Sequence, residues 1–181
     1  SRIPDLEVRE VEVSGESETQ LRPALSEALR DTGADRLAGL LRAAGCQSIK
    51  ARRLQALCRW LASPEQDGLD RRPTPALRSG LLEVHGVGPE TADAILCFAL
   101  CRPVFVADAY ARRWLARMGH LPTRFRDDYD ACRGLVETAL AWDCAGYQAL
   151  HAAIVRQAQR HCRVAPDCPA CGVQRRCKKI I

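Results

Sequence analysis

Leu81-Leu82-Glu83-Val84-His85-Gly86-Val87-Gly88-Pro89-Glu90-Thr91-Ala92 is the stretch on which the fold turns. It reads as two helices joined by an apolar-Gly-apolar-Gly turn. The glycines permit positive φ and let another backbone come close. Pro89 suits the first position of the second helix. Because that helix begins at once, its first amides have no partner inside it and point out of the turn. Bare amides at a helix N-terminus form a phosphate-sized anion site. Such a contact positions a protein on a nucleic acid without reading its sequence. His85, Gly86, Val87, Gly88, Glu90 and Thr91 are the candidate contact residues. An ordinary αα-hairpin with a glycine-rich turn accounts for the same residues without any ligand.

Outward from the turn, helix follows helix. Upstream, Leu21–Leu29 and Leu37–Ala44 have helical spacing, and Gly45 stops the second of these. Ser48 is placed to cap a helix carrying Ile49, Leu54, Leu57, Cys58 and Leu61 on one face. The stretch 63–75 is a loop, and a helix over 75–84 leads into the turn. Downstream, an apolar helix runs to about Leu100, Pro103 breaks it, and Val104-Phe105-Val106 is extended. Asp108 opens a helix with Trp114, Leu115 and Met118 facing inward, ended by Gly119 and Pro122. Helices over 127–141 and 144–161 complete an all-α fold of roughly ten short helices. Val11 and Val13 alternate with Glu, which allows a short strand near the start.

Composition agrees. The 181 residues suffice for one substantial core or two small lobes. Aromatics are only 5%, while Ala and Leu abound, which favours helix over sheet. No apolar run is long enough to span a membrane, and the opening Ser1-Arg2-Ile3-Pro4-Asp5 has no signal-peptide core. Ser1 in place of Met implies a processed or trimmed start. The formal charge is +5; residues 151–181, with seven Lys/Arg and one Asp, carry 7 − 1 = +6, and the remainder is −1. A basic end of this kind suits a polyanionic partner, although a solvated tail would look the same.

Ten cysteines are present. Cys46, Cys58, Cys97, Cys101, Cys132 and Cys144 are scattered, most of them in apolar helical contexts where Cys packs as a small core residue. Cys162, Cys168, Cys171 and Cys177 cluster as C-x5-C-x2-C-x5-C. Thiolates at this spacing can converge on one centre, either zinc or an iron–sulfur cluster, and spacing alone does not separate the two.

LLEVHGVGPETADAIL followed by VFVADAYARRWLARMG resembles the helix-hairpin-helix DNA glycosylase superfamily. The endonuclease III and endonuclease III-like 3-methyladenine branches are the nearest. The likeness runs from about residue 35 to the C-terminus, and 45–54 (GCQSIKARRL) is similar to the family's glycine-led loop and Lys-Ala helix start. The resemblance places the catalytic aspartate on Asp108, where an anion would stabilise the oxocarbenium-like sugar formed as a base departs. By its position alone Asp108 is a helix N-cap, and it can be both.

The lysine by which bifunctional members attack the sugar falls on Glu90 here. A carboxylate cannot form a Schiff base, so the expectation is a monofunctional glycosylase. Such enzymes extrude the target nucleotide and fill the gap it leaves. The resemblance gives that role to Cys46, a smaller residue than usual, and Glu18-Thr19-Gln20 is a poor match for the family's second gap-filler. Lys50, Arg175, Arg176 and Lys178 are further candidate DNA contacts. Endonuclease III ends in a similar cysteine loop, one residue longer in its first gap, that holds a four-iron four-sulfur (4Fe-4S) cluster. The resemblance therefore favours this cluster over zinc. His151 reads as a buried structural histidine, and Trp142 and Tyr147 as core.

The reading is thus an all-α, two-lobed glycosylase fold around a DNA cleft. One lobe spans 21–137, and the other combines 1–20 with 138–181 and its cluster loop over 162–177. The expected partner is DNA with alkylated or oxidised bases, acted on by a monomer in the cytoplasm at the nucleoid. A non-catalytic DNA-binding member and a zinc-stabilised interaction module are the alternatives.

Overall fold

A computed structural model of the chain describes residues 28–66 and 68–179. No strand occurs among them, and no helix of theirs is long and apolar enough to cross a membrane. The chain divides into two compact units, Ser1–Asp67 and Gly68–Ile181. The lobes expected from the sequence are cut elsewhere. They depend on a return of residues 1–20, which lie outside the described residues, as do most of the Leu21–Leu29 helix, the Val11/Val13 strand and Glu18-Thr19-Gln20.

In the first unit, α1 (Ala34–Leu40) packs on α2 (Gln47–Leu61). Leu37, Ala51 and Cys58 are buried, and Gln55 Nε2 donates to the Thr32 carbonyl at 2.7 Å. Ser48 does not cap α2. The helix starts at Gln47, with Cys46 in the N-cap position in the left-handed region and no side-chain cap bond. Gly45 and Cys46, at φ 65° and 48°, turn the chain so sharply that Ser48 already lies inside the first turn.

The second unit holds α3 (Thr74–Glu83), α4 (Pro89–Ala94), α5 (Ala109–Met118), α6 (Tyr129–Leu140) and α7 (Cys144–Arg160). A π-helical turn, Ile95–Ala99, continues α4. Phe105, Ala107, Ala111, Cys132, Tyr147 and Ile154 are central to one apolar core. The extended run Val104-Phe105-Val106 threads through it, with Phe105 wholly buried. Helices α5 and α7 pack on each other. Leu115 and Met118 are buried as their spacing predicts, and Trp114 packs against the core from its edge. Gly119, at φ 80°, ends α5.

A charge network that periodicity does not reveal ties the hairpin helices to α6. Asp93 on α4 is fully buried and takes a two-pronged contact from Arg78 of α3, at 2.7 and 3.2 Å. Arg78 also reaches Asp130 at 2.7 Å, and Arg133 lies 3.6 Å from Asp93. Buried charge is tolerable only when it is paired in this way. Arg133 also pairs with Glu137 at 3.2 Å, and Glu137 accepts the Phe105 N–H at 2.9 Å. The cysteines divide by environment. Cys58, Cys97 and Cys132 are core residues as expected, and burial pushes the Cys97 thiol up to about 12 and Cys132 to about 11. Cys46 and Cys101 are instead exposed, both at positive φ.

Candidate functional site

The turn between α3 and α4 has the shape its glycines require. Val87 N–H closes it onto the Val84 carbonyl at 3.0 Å, and Gly86 stands at φ 84°. The first bond inside α4 is Ala92 N–H to Gly88 carbonyl at 2.9 Å, so the amides of Glu90 and Thr91 precede any intrahelical partner. Gly88 supplies no side-chain cap. His85, Gly86, Pro89, Glu90 and Thr91 are exposed, and Val87 anchors the turn from inside. Gly88 is extended, and a Cβ built on it meets nothing within 4 Å. Its bareness therefore serves no contact among the described residues, which leaves room for an approach from outside.

Asp108 stands at the N-cap of α5, where its Oδ1 accepts the Ala111 N–H at 2.7 Å. Its Oδ2 lies 3.4 Å from Nε2 of His151 on α7. Burial works to raise its pKa. The His151 imidazole and the Ala111 and Tyr110 amides outweigh burial, so the carboxyl titrates below its ordinary value. The carboxylate is thus ionised and held at one oxygen. His151, read from the sequence as a buried structural histidine, is largely shielded and faces Asp108. Tyr147 is buried as expected. Trp142 is not core: it is 45% exposed, because the chain turns outward at Ala141, φ 44°, just before α7.

Cys162, Cys168, Cys171 and Cys177 line one cavity, whose other walls include Trp114, Met118 and Val173. Gln157 Nε2 approaches the Cys171 sulfur at 2.9 Å, and Arg117 Nη1 the Cys162 sulfur at 3.4 Å. Among the described residues no three His, Cys, Asp or Glu side chains are grouped as around a single metal ion. The loop is docked on α5. Arg113 donates to the Cys162 carbonyl at 2.8 Å, and the largely buried Arg117 donates to those of Arg163 and Val164 at 2.6 and 3.1 Å. Lys178 lays its aliphatic stem where a Cβ on Gly119 would sit, so the loop's end also rests on α5. Arg175, Arg176 and Lys178 are exposed. The helix opened by Asp108 therefore carries the cysteine loop on its second half.

Cys46 and Lys50 belong to the first unit. Cys46 is exposed in its turn, and Lys50 Nζ donates to the Ala44 carbonyl, tying back its own loop.

Residues 74–98 match the helix-hairpin-helix motif family. Over 147 residues the chain is 35% identical to "Putative DNA repair glycosylase MJ1434" of Methanocaldococcus jannaschii, covering 79% of this chain and 66%, just under two thirds, of that protein. Among solved structures, a non-covalent endonuclease III–DNA complex is similar at a TM-score of 0.66 and 21% identity, over 90% of this chain and 74% of that one. A thermostable thymine-DNA glycosylase is similar at 0.63 and 19%, over 91% and 73%. The chain thus carries a helix-hairpin-helix motif with its turn exposed, is similar in sequence to a putative DNA repair glycosylase, and has the fold of solved DNA glycosylases.

Proposed function

We propose that this protein is a monofunctional DNA glycosylase that hydrolyses the N-glycosidic bond of an alkylated or oxidised base. The observation that carries the reading is Asp108, an ionised carboxylate fixed at the N-cap of α5 in the unit that bears the exposed hairpin turn. The hairpin amides of Glu90 and Thr91 take a phosphate, which anchors the strand irrespective of sequence. The damaged nucleotide leaves the stack. As its base departs with the bonding electron pair, positive charge spreads over the sugar ring, and the Asp108 carboxylate stabilises it at close range. Water then adds to C1′ and gives up a proton, leaving an abasic sugar and the free base. Glu90 occupies the lysine position of bifunctional relatives and is exposed in the first turn of α4. A carboxylate cannot condense with the sugar, so no lyase step follows.

The four cysteines fit a 4Fe-4S cluster by donor set, and the resemblance to endonuclease III favours it over zinc. All four line a single space, and amide and guanidinium donors approach two of the sulfurs. When bound, the cluster would serve as a structural cross-link holding the loop and its Arg175, Arg176 and Lys178 against α5, from where they can meet phosphates.

A panel of duplexes with single lesions, incubated with protein and then cleaved at abasic sites by alkali, tests the activity. Wild type should release at least one alkylated or oxidised base, Asp108→Asn should release none while still binding, and borohydride should trap no covalent adduct. Binding without release from any lesion favours a non-catalytic DNA-binding protein, and a trapped adduct refutes the monofunctional assignment.

A further inference from the structure

The two oxygens of Asp108 differ in their surroundings. Oδ1 is bonded to Ala111 N–H, while Oδ2 lies 3.4 Å from Nε2 of the His151 imidazole. Both side chains are largely shielded, His151 at 17% and Asp108 at 14% exposure. Nε2 of His151 is buried and makes no hydrogen bond. Buried polar atoms are nearly always paired, so an unpaired nitrogen aimed at a carboxylate needs an explanation beyond packing. Bonds that serve catalysis are often long without substrate and shorten once it binds. Phe98 of the π turn packs edge-to-face with the imidazole, with centroids 5.4 Å apart at 63°. The histidine therefore meets both an aromatic ring and the carboxylate.

We infer that His151 is a positioning residue for Asp108: it anchors Oδ2, stops the carboxylate turning about its last bond, and keeps it ionised once DNA has shut out water. This rests on the glycosylase reading of Asp108. The N-cap bond holds one oxygen only, and the final torsion of an aspartate is soft, so a second anchor is needed to fix both. Loss of water strengthens the burial effect that already acts against ionisation. The groups facing Asp108 are few. From α5 they are the Ala111 and Tyr110 amides and from α7 His151, while Phe98, the ring behind the histidine, is uncharged. Among these, His151 is the side chain beside Oδ2.

The sign follows. Asp108 works as an anion, and its pKa is held low, so activity should persist into acid. Without His151 the folded pKa rises, and activity should fail at a higher pH on the acid side.

The test uses the full-length protein as purified, in wild-type, His151→Ala, His151→Gln and Asp108→Asn forms. Carbon-detected NMR titration of the Asp108 carboxyl, without DNA, should show its midpoint raised in His151→Ala. Single-turnover release on a duplex with an accepted lesion should slow roughly tenfold to a hundredfold, the range for losing a hydrogen bond to a charged group. DNA affinity should not change. His151→Gln, whose amide can donate to Oδ2, should recover most of the rate above the acid limb, and it carries the test if His151→Ala melts early. A wild-type rate, acid limb and Asp108 midpoint in His151→Ala, beside an inactive Asp108→Asn, overturn this inference alone. An Asp108→Asn variant as active as wild type overturns the glycosylase reading, and the inference with it.

Discussion

Alanine at Gly86 and alanine at Gly88 should move stability in opposite directions, and the more stable protein should be the poorer DNA binder. Gly86 sits at φ 84°, where an L side chain costs about 1–2 kcal/mol. Alanine also stiffens the unfolded chain, which returns about 0.4–1 kcal/mol. The net effect of Gly86→Ala is a loss of about 0.5–1 kcal/mol. Gly88 is extended at φ −98°, ψ 179°, and its Cβ position is open space. Gly88→Ala therefore keeps the whole entropic gain, about 0.4–1 kcal/mol. At about 2–4 °C per kcal/mol for a chain of this size, the two variants should melt roughly 2–8 °C apart. The added methyl, however, stands where a phosphodiester must approach the amides of Glu90 and Thr91. Losing one hydrogen bond to a charged group, about 1.5–3 kcal/mol, weakens binding about tenfold or more. Differential scanning fluorimetry gives the first quantity. Fluorescence anisotropy on a duplex with an abasic-site analogue, at one fixed salt concentration, gives the second. A Gly88→Ala protein that melts higher and binds like wild type would refute the reasoning, since nothing would then be approaching the turn.

Two further outcomes follow. Asp93→Ala leaves Arg78 and Arg133 without their buried partner. It should cost about 3 kcal/mol in chemical unfolding, the low end for a broken buried pair because Asp130 still holds Arg78; a loss under about 1 kcal/mol would show that the pair contributes little. Protein purified without oxygen should be brown and contain iron and acid-labile sulfide, and Cys171→Ala should lower both together with the melting temperature. Stoichiometric zinc without iron would replace the cluster by a single metal ion.

Local signals made much of this molecule legible. The glycine turn with Pro89 behind it and the cysteine spacing at the C-terminus each act within a few residues: Gly86 is at positive φ, Pro89 opens the next helix, and the four cysteines line one cavity. Asp108 announced itself as a cap by the apolar run before it and the helix after it. What stayed hidden depends on residues far apart in the chain. His151 meets Asp108 only because α7 packs along α5. Asp93 looks like a solvent-facing residue in a short helix until Arg78 and Arg133 arrive from two other helices. Trp142 and Ser48 were misplaced for a backbone reason: a left-handed residue just upstream, Ala141 in one case and Cys46 in the other, swung the chain in a way no propensity foretells. The division into lobes and the role of Cys46 rest on the resemblance.

The π turn at Ile95–Ala99 accommodates one residue more than the α-helical turn it replaces. A side chain on an α-helix advances by about 100° per residue. Removing a single residue here would turn the stretch into ordinary α-helix and re-aim the side chains within it, Phe98 against the imidazole among them. Tolerance of length changes in this unit is thus uneven, and the least forgiving place is a stretch whose composition looks unremarkable.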